Sequence, residues 1–319
     1  MARINDCDTV IVTPVYEDKE ACFRLFQELA ALGMDKMYVV AVDDGSVESP
    51  LDFSLLERAG LCGTIITLKR NVGHQQAIAV GLSFVAENIA DVKKILVMDS
   101  DGEDLPSSIA SLLSSLESED IDIVVAKRRH RFETFQFRVF YLFYRYLFRI
   151  LSGRDINFGN FMAMKPTAMQ RLVQMPELWI HVAGCVLSSK VRINRCALDR
   201  GPRYAGHSKM SFVSLALHGF KGLMVFAEDV LVRVGISCSV VAALAVLASA
   251  AALILKIIGF ATPGWFSTAL GILFMVFLQT GTLTLMTLML TGVVKNTNVR
   301  VPDLAGFVAD IVNTPDKPS

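Results

Sequence analysis

Two textures alternate along the first 130 residues. Short β-branched runs read as strands: Thr9-Val-Ile-Val-Thr13, Met37–Val42, Thr64–Leu68, Ile95–Met98 and Asp122–Ala126. Longer amphipathic stretches separate them. Residues 18–32 put Cys22, Leu25, Phe26 and Leu29 on one helical face and stop at Gly33. Residues 74–88 are helical, and a further helix follows Pro106. Alternation at this spacing predicts an α/β fold, a mostly parallel sheet with helices on both faces. Ligands of such sheets bind beyond the carboxyl ends of the strands. Pro14, Asp43, Asp44, Asp99 and Asp101 all fall at those ends.

The pattern changes after residue 135. The stretch Phe135–Leu151 is aromatic and aliphatic, with Arg138, Arg145 and Arg149 in a stripe about 40° wide at about 100° per residue. An aromatic body with a basic stripe suits a membrane interface. A core helix with its arginines facing water is the competing reading. Residues 212–232 read as a second interfacial or connecting helix. Val234–Leu255 carries no charge, and Trp265–Val294 is a second apolar run. Each is long enough to cross a hydrocarbon core of about 30 Å. A short turn between them puts both ends on one side of a bilayer. Arg233, Lys295 and Arg300 flank that side against only Lys256 at the turn, which predicts a cytoplasmic catalytic domain. The N-terminus leads into a strand without an apolar signal region, in keeping with that placement. Ala245/Ser249 and Ala248/Ala252 are small-residue pairs that permit close helix approach.

Composition sharpens the picture in three places. Hydrophobic residues make up 53% of the 319, and the mean hydropathy of +0.47 is concentrated in residues 230–295. Thirty-one basic residues balance 31 acidic ones, so bulk charge gives no reason to expect a nucleic-acid partner. The six cysteines form no CxxC pair, which argues against zinc and against a disulfide framework.

Chemistry concentrates in acidic strand ends. Asp99-Ser100-Asp101 follows the apolar run Ile95–Met98. In an extended segment residues i and i+2 point the same way, so both carboxylates can face one ion. Mg²⁺ or Mn²⁺ is held by one or two carboxylates plus substrate phosphates. Glu103 and Asp104 add negative charge that repels itself without a cation. Val42-Asp-Asp-Gly-Ser46 is a second acidic end, readable as a capped turn or as a contact for base or ribose. Neither GxGxxG nor GxxxxGK[ST] occurs.

Val12-Thr-Pro-Val-Tyr-Glu17, Val42–Ser46, Arg70-Asn-Val-Gly-His74, Met98–Asp101 and Arg203-Tyr-Ala-Gly-His-Ser-Lys209 occur in this order. The set resembles family 2 glycosyltransferases of the GT-A fold, and within them the polyprenyl-phosphate branch related to dolichol-phosphate mannose synthase and bacterial polyprenyl-phosphate glucosyltransferases. The resemblance spans about residues 8–295. It implies that Pro14, Tyr16, Glu17, Asp43, Asp44, Arg70 and Asp99 border the nucleotide. Asp99 and Asp101 would flank the metal and diphosphate, and with Arg203 and Lys209 form the catalytic set. Arg128, Arg131, Arg203, Ser208 and Lys209 would serve the acceptor phosphate. The implied organisation is a nucleotide-sugar-binding core over 1–132, an acceptor-side part with interfacial helices over 133–232, a transmembrane hairpin over 233–295 and a cytoplasmic tail over 296–319.

The expected activity is inverting transfer of a hexose from a nucleotide diphosphate sugar, of UDP-glucose or GDP-mannose type, to a polyprenyl phosphate. It needs Mg²⁺ or Mn²⁺ at the cytoplasmic face of the cell (inner) membrane, in a multi-pass protein serving cell envelope glycans. A second copy of the chain is a partner the sequence allows. The chain departs from the branch at Glu103-Asp-Leu-Pro106, where Gln-Asp-Pro-Pro is common, and at Asn160, where an acidic residue is frequent. Two rivals stand beside this reading. A processive polysaccharide synthase usually carries Gln-x-x-Arg-Trp and more spans, both missing here. A catalytically silent membrane adaptor with the same fold would not need the acidic set.

Overall fold

The computed structural model describes residues 7–128, 145–204, 212–260, 264–296 and 302–313. The chain forms two units. One comprises residues 1–142, 156–225 and 300–319, the other residues 143–155 and 226–299.

The first unit is built on eight strands: β1 Thr9–Val15, β2 Met37–Asp43, β3 Cys62–Leu68, β4 Lys94–Val97, β5 Ile123–Arg128, β6 Met162–Met164, β7 Ile193–Leu198 and β8 Val308–Asn313. Their order is β7-β5-β6-β4-β1-β2-β3-β8. The run β4-β1-β2-β3 is parallel. Every residue of β1 and β2 is buried, which is why both read as unbroken apolar runs. Around the sheet lie α1 Lys19–Ala31, α2 Ser54–Ala59, α3 His74–Asn88, α4 Ile109–Leu116, α6 Pro166–Val173, α7 Val182–Ser188 and α8 Phe212–Met224. Leu25, Phe26 and Leu29 of α1 join Leu96, Met98 and Leu112 in the core. Full burial of such side chains contributes about 1.5–3 kcal/mol each.

Two features interrupt the parallel pattern, and both steer residues toward the site. β6 runs antiparallel to β4 and β5, with Met162 opposite both Val97 and Val125. The residues just before β6 therefore sit beside the residues just after β4. β7 runs parallel to β5 and ends with Leu198 opposite Arg128. Whatever follows β7 leaves from that same end of the sheet.

β8 was not anticipated, since its residues read as tail. It pairs antiparallel with β3, from Thr64 opposite Asn313 to Leu68 opposite Val308. Thr64 Oγ1 donates to Asn313 Oδ1 at 2.7 Å, and Trp179 stacks on Phe307 at 5.2 Å.

The second unit holds α5 (145–152), α9 Ala227–Ile257 and α10 Trp265–Asn296. At 1.5 Å per residue, α9 and α10 are about 46 and 48 Å long, enough for a hydrocarbon core of about 30 Å. Both are long and apolar enough to cross a membrane, and large side chains such as Leu247 (65%) and Leu285 (66%) are exposed. α9 starts at Ala227, before the span expected at Val234, and its first turn carries Glu228 and Asp229. Acidic residues there complement the helix dipole. Gly235, Ala245 and Ala252 are its buried positions. A Cβ on Gly235 would lie 3.0 Å from Thr287 Oγ1, so the seam with α10 depends on small residues. Ala245, Ser249 and Ala252 face this seam, whereas Ala248 is exposed. Of the expected basic stripe, Arg145 is tied to Asp155 by two bonds of 2.8 Å, Arg149 is exposed, and Arg138 lies outside the described residues.

Candidate active site

The carboxyl ends of β1, β2 and β4 carry six of the expected nucleotide residues, and the acidic side chains after β1 and β2 turn first to the backbone. Asp43 is fully buried; Oδ1 accepts from Ser46 N–H at 3.0 Å and Oδ2 from Leu51 N–H at 2.8 Å. Asp44 accepts from Val72 N–H at 2.7 Å and Gly73 N–H at 2.9 Å. Glu17 accepts from the N–H groups of Val47, Glu48 and Ser49 at 2.6–3.2 Å. Those amides hold its pKa below the usual carboxylate range. These three carboxylates shape the loops 44–51 and 70–74. Gly45 is needed between them: its φ is +68°, and a Cβ there would stand 2.5 Å from the Arg70 backbone. Tyr16, 46% exposed, and the exposed Arg70 are the open side chains of this group. Pro14 lies within β1, one residue beyond the expected strand end, and its carbonyl accepts from Ser100 Oγ at 3.1 Å.

The Asp99–Asp104 loop follows β4. Asp104 Oδ2 accepts from Asp99 N–H and Asp101 Oδ1 from Glu103 N–H, both at 3.0 Å. His74, first residue of α3, brings Nε2 to 3.1 Å from Asp99 Oδ1. Asn160, delivered by the antiparallel β6, places Nδ2 3.0 Å from the same His74 nitrogen, and its Oδ1 accepts from Gln75 Nε2 at 3.3 Å. Burial alone lowers the His74 pKa, but Asp99, with Asp101 and Asp104 behind it, outweighs burial and moves it up. Burial and the neighbouring Asp99 both raise the Asp101 pKa, against the pull of Arg203 and Arg200.

A strap from residue 199 to 204 leaves β7 and crosses this loop. Gly201 N–H donates to Glu103 O at 3.0 Å and Tyr204 N–H to Asp101 O at 2.9 Å. The Tyr204 ring covers Gly102, whose φ is +88° and where a Cβ would meet the ring at 2.7 Å. Tyr204 OH donates to Glu28 Oε2 at 2.7 Å, and Arg24 lies over its ring at 4.5 Å. Arg203 bridges two carboxylates, Nη2 to Asp101 Oδ2 at 2.9 Å and Nε to Glu103 Oε1 at 3.0 Å. Arg200 pairs with the other oxygen of Glu103. Asp99, Glu103, Asn160, Phe161, Asp199 and Arg200 line a cleft beside the loop.

The structure thus brings together Asp99, Asp101 and Arg203 from the expected catalytic set. Arg131, Ser208 and Lys209 lie outside the described residues, as does the Arg128 side chain. Sequence reasoning singled out neither Arg200 nor the contact of His74 with Asp99. The motif Arg70–His74 ends on that histidine, which was the available signal. Arg200 had none beyond the basic density of residues 192–203.

The donor set suits a hard divalent cation, with two carboxylates on one loop that repel each other. Among the described residues no group of three or more His, Cys, Asp or Glu is arranged to hold a metal ion. An ion here would complete its shell with substrate oxygens and water.

Known proteins share this fold. Glucosyl-3-phosphoglycerate synthase from Mycobacterium tuberculosis, crystallised with Mn²⁺, UDP-glucose and phosphoglyceric acid, superposes with a TM-score of 0.52 at 15% identity, over 71% of this chain and 79% of that one. An uncharacterised glycosyltransferase of Synechocystis, sll0501, is 28% identical over 83% of this chain and 84% of its own length. Dodecaprenyl-phosphate galacturonate synthase of Rhizobium johnstonii is 27% identical over 40% of this chain and 38% of its own. Undecaprenyl-phosphate 4-deoxy-4-formamido-L-arabinose transferase of Serratia proteamaculans is 28% identical over 41% and 40%. The family model described as glycosyl transferase family 2 matches residues 10–190, from β1 to the end of α7. That match takes in the β1, β2 and β4 ends and the Asp99–Asp104 loop, and it makes this glycosyltransferase a member of glycosyl transferase family 2.

Proposed function

We propose that the enzyme moves a hexose from a nucleoside diphosphate sugar to a polyprenyl phosphate at the cytoplasmic face of the inner membrane, with inversion at the anomeric carbon. The observation that carries this reading is the Asp99/Asp101 pair under Arg203, in a chain with two membrane-length helices. Two relatives are named for polyprenyl-phosphate chemistry, which supports the acceptor class. The chain leaves the sheet unit for the hairpin and returns to it as β8, which supports both hairpin ends lying on one side.

Exposed Tyr16 would stack on the base, and the loops that Asp43, Asp44 and Glu17 hold would frame the nucleotide. Asp99 and Asp101 would hold Mg²⁺ or Mn²⁺, which when bound neutralises charge on a departing diphosphate. Asn160 supplies no general base, and none is required. A phosphate monoester has a second pKa near 6 and is mostly ionised at neutral pH. Arg203 would orient it by charge-assisted hydrogen bonds, so the rate rests on positioning and electrostatics. In-line attack then inverts the anomeric centre.

The test is transfer by purified protein from a panel of radiolabelled nucleotide sugars to undecaprenyl phosphate with Mg²⁺ or Mn²⁺. Labelled lipid that carries one sugar is expected from one donor. No labelled lipid from any donor overturns the proposal, and several sugars per lipid favour a processive synthase.

A further inference from the structure

Arg203 engages two acidic residues through two different nitrogens. Nη2 holds Asp101 Oδ2 at 2.9 Å, and Nε holds Glu103 Oε1 at 3.0 Å. Its backbone has little freedom. Gly201 N–H on Glu103 O and Tyr204 N–H on Asp101 O pin the strap on both sides of it, at 3.0 and 2.9 Å. Tyr204 OH on Glu28 anchors the strap to α1. A Cβ on Gly201 would lie 2.5 Å from Gly102 O, so strap and loop are in backbone contact. Glu103 is fixed as well, because its second oxygen pairs with Arg200. The guanidinium tip is therefore the part free to change partners. The Arg203 side chain is 29% exposed and that of Glu103 only 13%.

We propose that Arg203 serves as a built-in counter-ion for Asp101 and turns on Glu103 when a divalent cation takes its place. The inference rests on the reading of Asp99 and Asp101 as the cation site. Asp101 has one oxygen on the Glu103 amide and the other on Arg203. A cation that takes the second oxygen releases Nη2 while Nε keeps its bond to Glu103. The released edge of the guanidinium then presents its donors to a phosphate oxygen, a bidentate geometry that arginine favours. Glu103 is thus a positioning residue that acts through Arg203, and its charge holds both arginines. Without the cation, the arginine offsets the charge of Asp101, as His74 does beside Asp99 and Arg200 beside Glu103.

A double-mutant cycle on Mn²⁺ affinity tests this without any sugar donor, on the full chain in detergent with Mn²⁺ alone. Arg203→Met removes the competitor and should tighten Mn²⁺ about threefold to fivefold, the scale of one partly exposed ion pair. Glu103→Gln should loosen it in the wild-type background, because Arg203 then leans wholly on Asp101. The same change should have at least about threefold less effect beside Arg203→Met, the non-additivity of residues that act as a unit. Additive effects, with Glu103→Gln equally costly in both backgrounds, overturn the proposal and make Glu103 a direct ligand. In the transfer assay, Glu103→Gln should raise KM for polyprenyl phosphate several-fold and change kcat little. An unchanged KM also overturns it. A wild-type chain that binds Mn²⁺ but transfers no sugar sinks the proposed function and leaves the cycle readable.

Discussion

Asp44 separates two roles that a carboxylate at this strand end can have. Sequence patterning allows it to contact base or ribose; the structure shows both of its oxygens on the amides of Val72 and Gly73 at 2.7 and 2.9 Å. The side chain is 2% exposed, and burial raises its pKa further than the two amides pull it back. Asp44→Ala leaves two buried donors without an acceptor. Hydrogen bonds to a charged group contribute about 1.5–3 kcal/mol each, so the pair gives roughly 3–6 kcal/mol. Relief of the buried charge offsets part of this, which leaves a loss of about 3 kcal/mol. For a domain of this size each kcal/mol lowers Tm by about 2–4 °C, so a drop of about 6–12 °C is expected. Hydrogen exchange should localise the damage, with faster exchange in peptides spanning 69–75. His74 begins the helix behind that loop, so nucleotide binding should weaken as well. The reasoning is refuted if Tm moves by less than about 1 °C and exchange in 69–75 is unchanged while nucleotide binding disappears. The carboxylate would then belong to the ligand and not to the loop.

Asp101→Asn should cut turnover by at least about 100-fold while Tm stays within a few degrees, since the loop amide at Glu103 keeps an acceptor; full activity would exclude its metal role. EDTA should abolish transfer and added Mn²⁺ or Mg²⁺ restore it, and activity that survives exhaustive chelation would contradict a divalent requirement. Gly102→Ala should cost about 2 kcal/mol and raise KM for the acceptor, because a Cβ 2.7 Å from the Tyr204 ring at φ +88° displaces the strap; wild-type stability would show the strap is slack. Asp122, paired with Arg192 at 2.7 Å, has its pKa lowered to about 2, chiefly by that side-chain bond. Its ordinary value is about 3.9, so its stabilisation is complete above about pH 4 and is lost as pH falls toward 2. Arg192 is 55% exposed; discounted for solvent, Asp122→Asn should cost about 1 kcal/mol at pH 7, a difference that closes by about pH 2 in acid titrations of stability.

The elements legible in the sequence are those whose own residues specify them. β1, β2 and β4 are buried on both faces, and an unbroken apolar run that meets Asp or Pro can be read without knowing its neighbours. The acidic loop after β4 was visible for the same reason. β6 was not, because Met162-Ala-Met164 is too short to show a period and forms only by pairing between β4 and β5. Its cost to the reading was Asn160, whose place beside His74 follows from that antiparallel insertion. The break between α8 and α9 was missed because apolar residues run through it without Gly or Pro. Phe226, the residue before α9, leaves helical geometry there and is buried edge-on against Phe148 at 5.9 Å.

The site's cations illustrate the harder limit. Asp99 and Asp101 come from a single loop, so their joint role is local and patterned. Arg200 and Arg203 lie about 100 positions away, and nothing in the neighbourhood of Arg200 distinguishes it from Arg192 or Arg195. What selects them is register. β7 pairs with β5 up to Leu198 opposite Arg128, so the chain has to leave the sheet there. The two glycines in contact, Gly102 and Gly201, then let the strap lie directly on the acidic loop. A basic residue two positions after Gly201 meets Asp101, while Arg195, within β7, stays exposed. The motif Arg203–Lys209 marks the arginine, but the carboxylate it answers to is decided by strand pairing, a long-range property that a one-dimensional pattern does not carry.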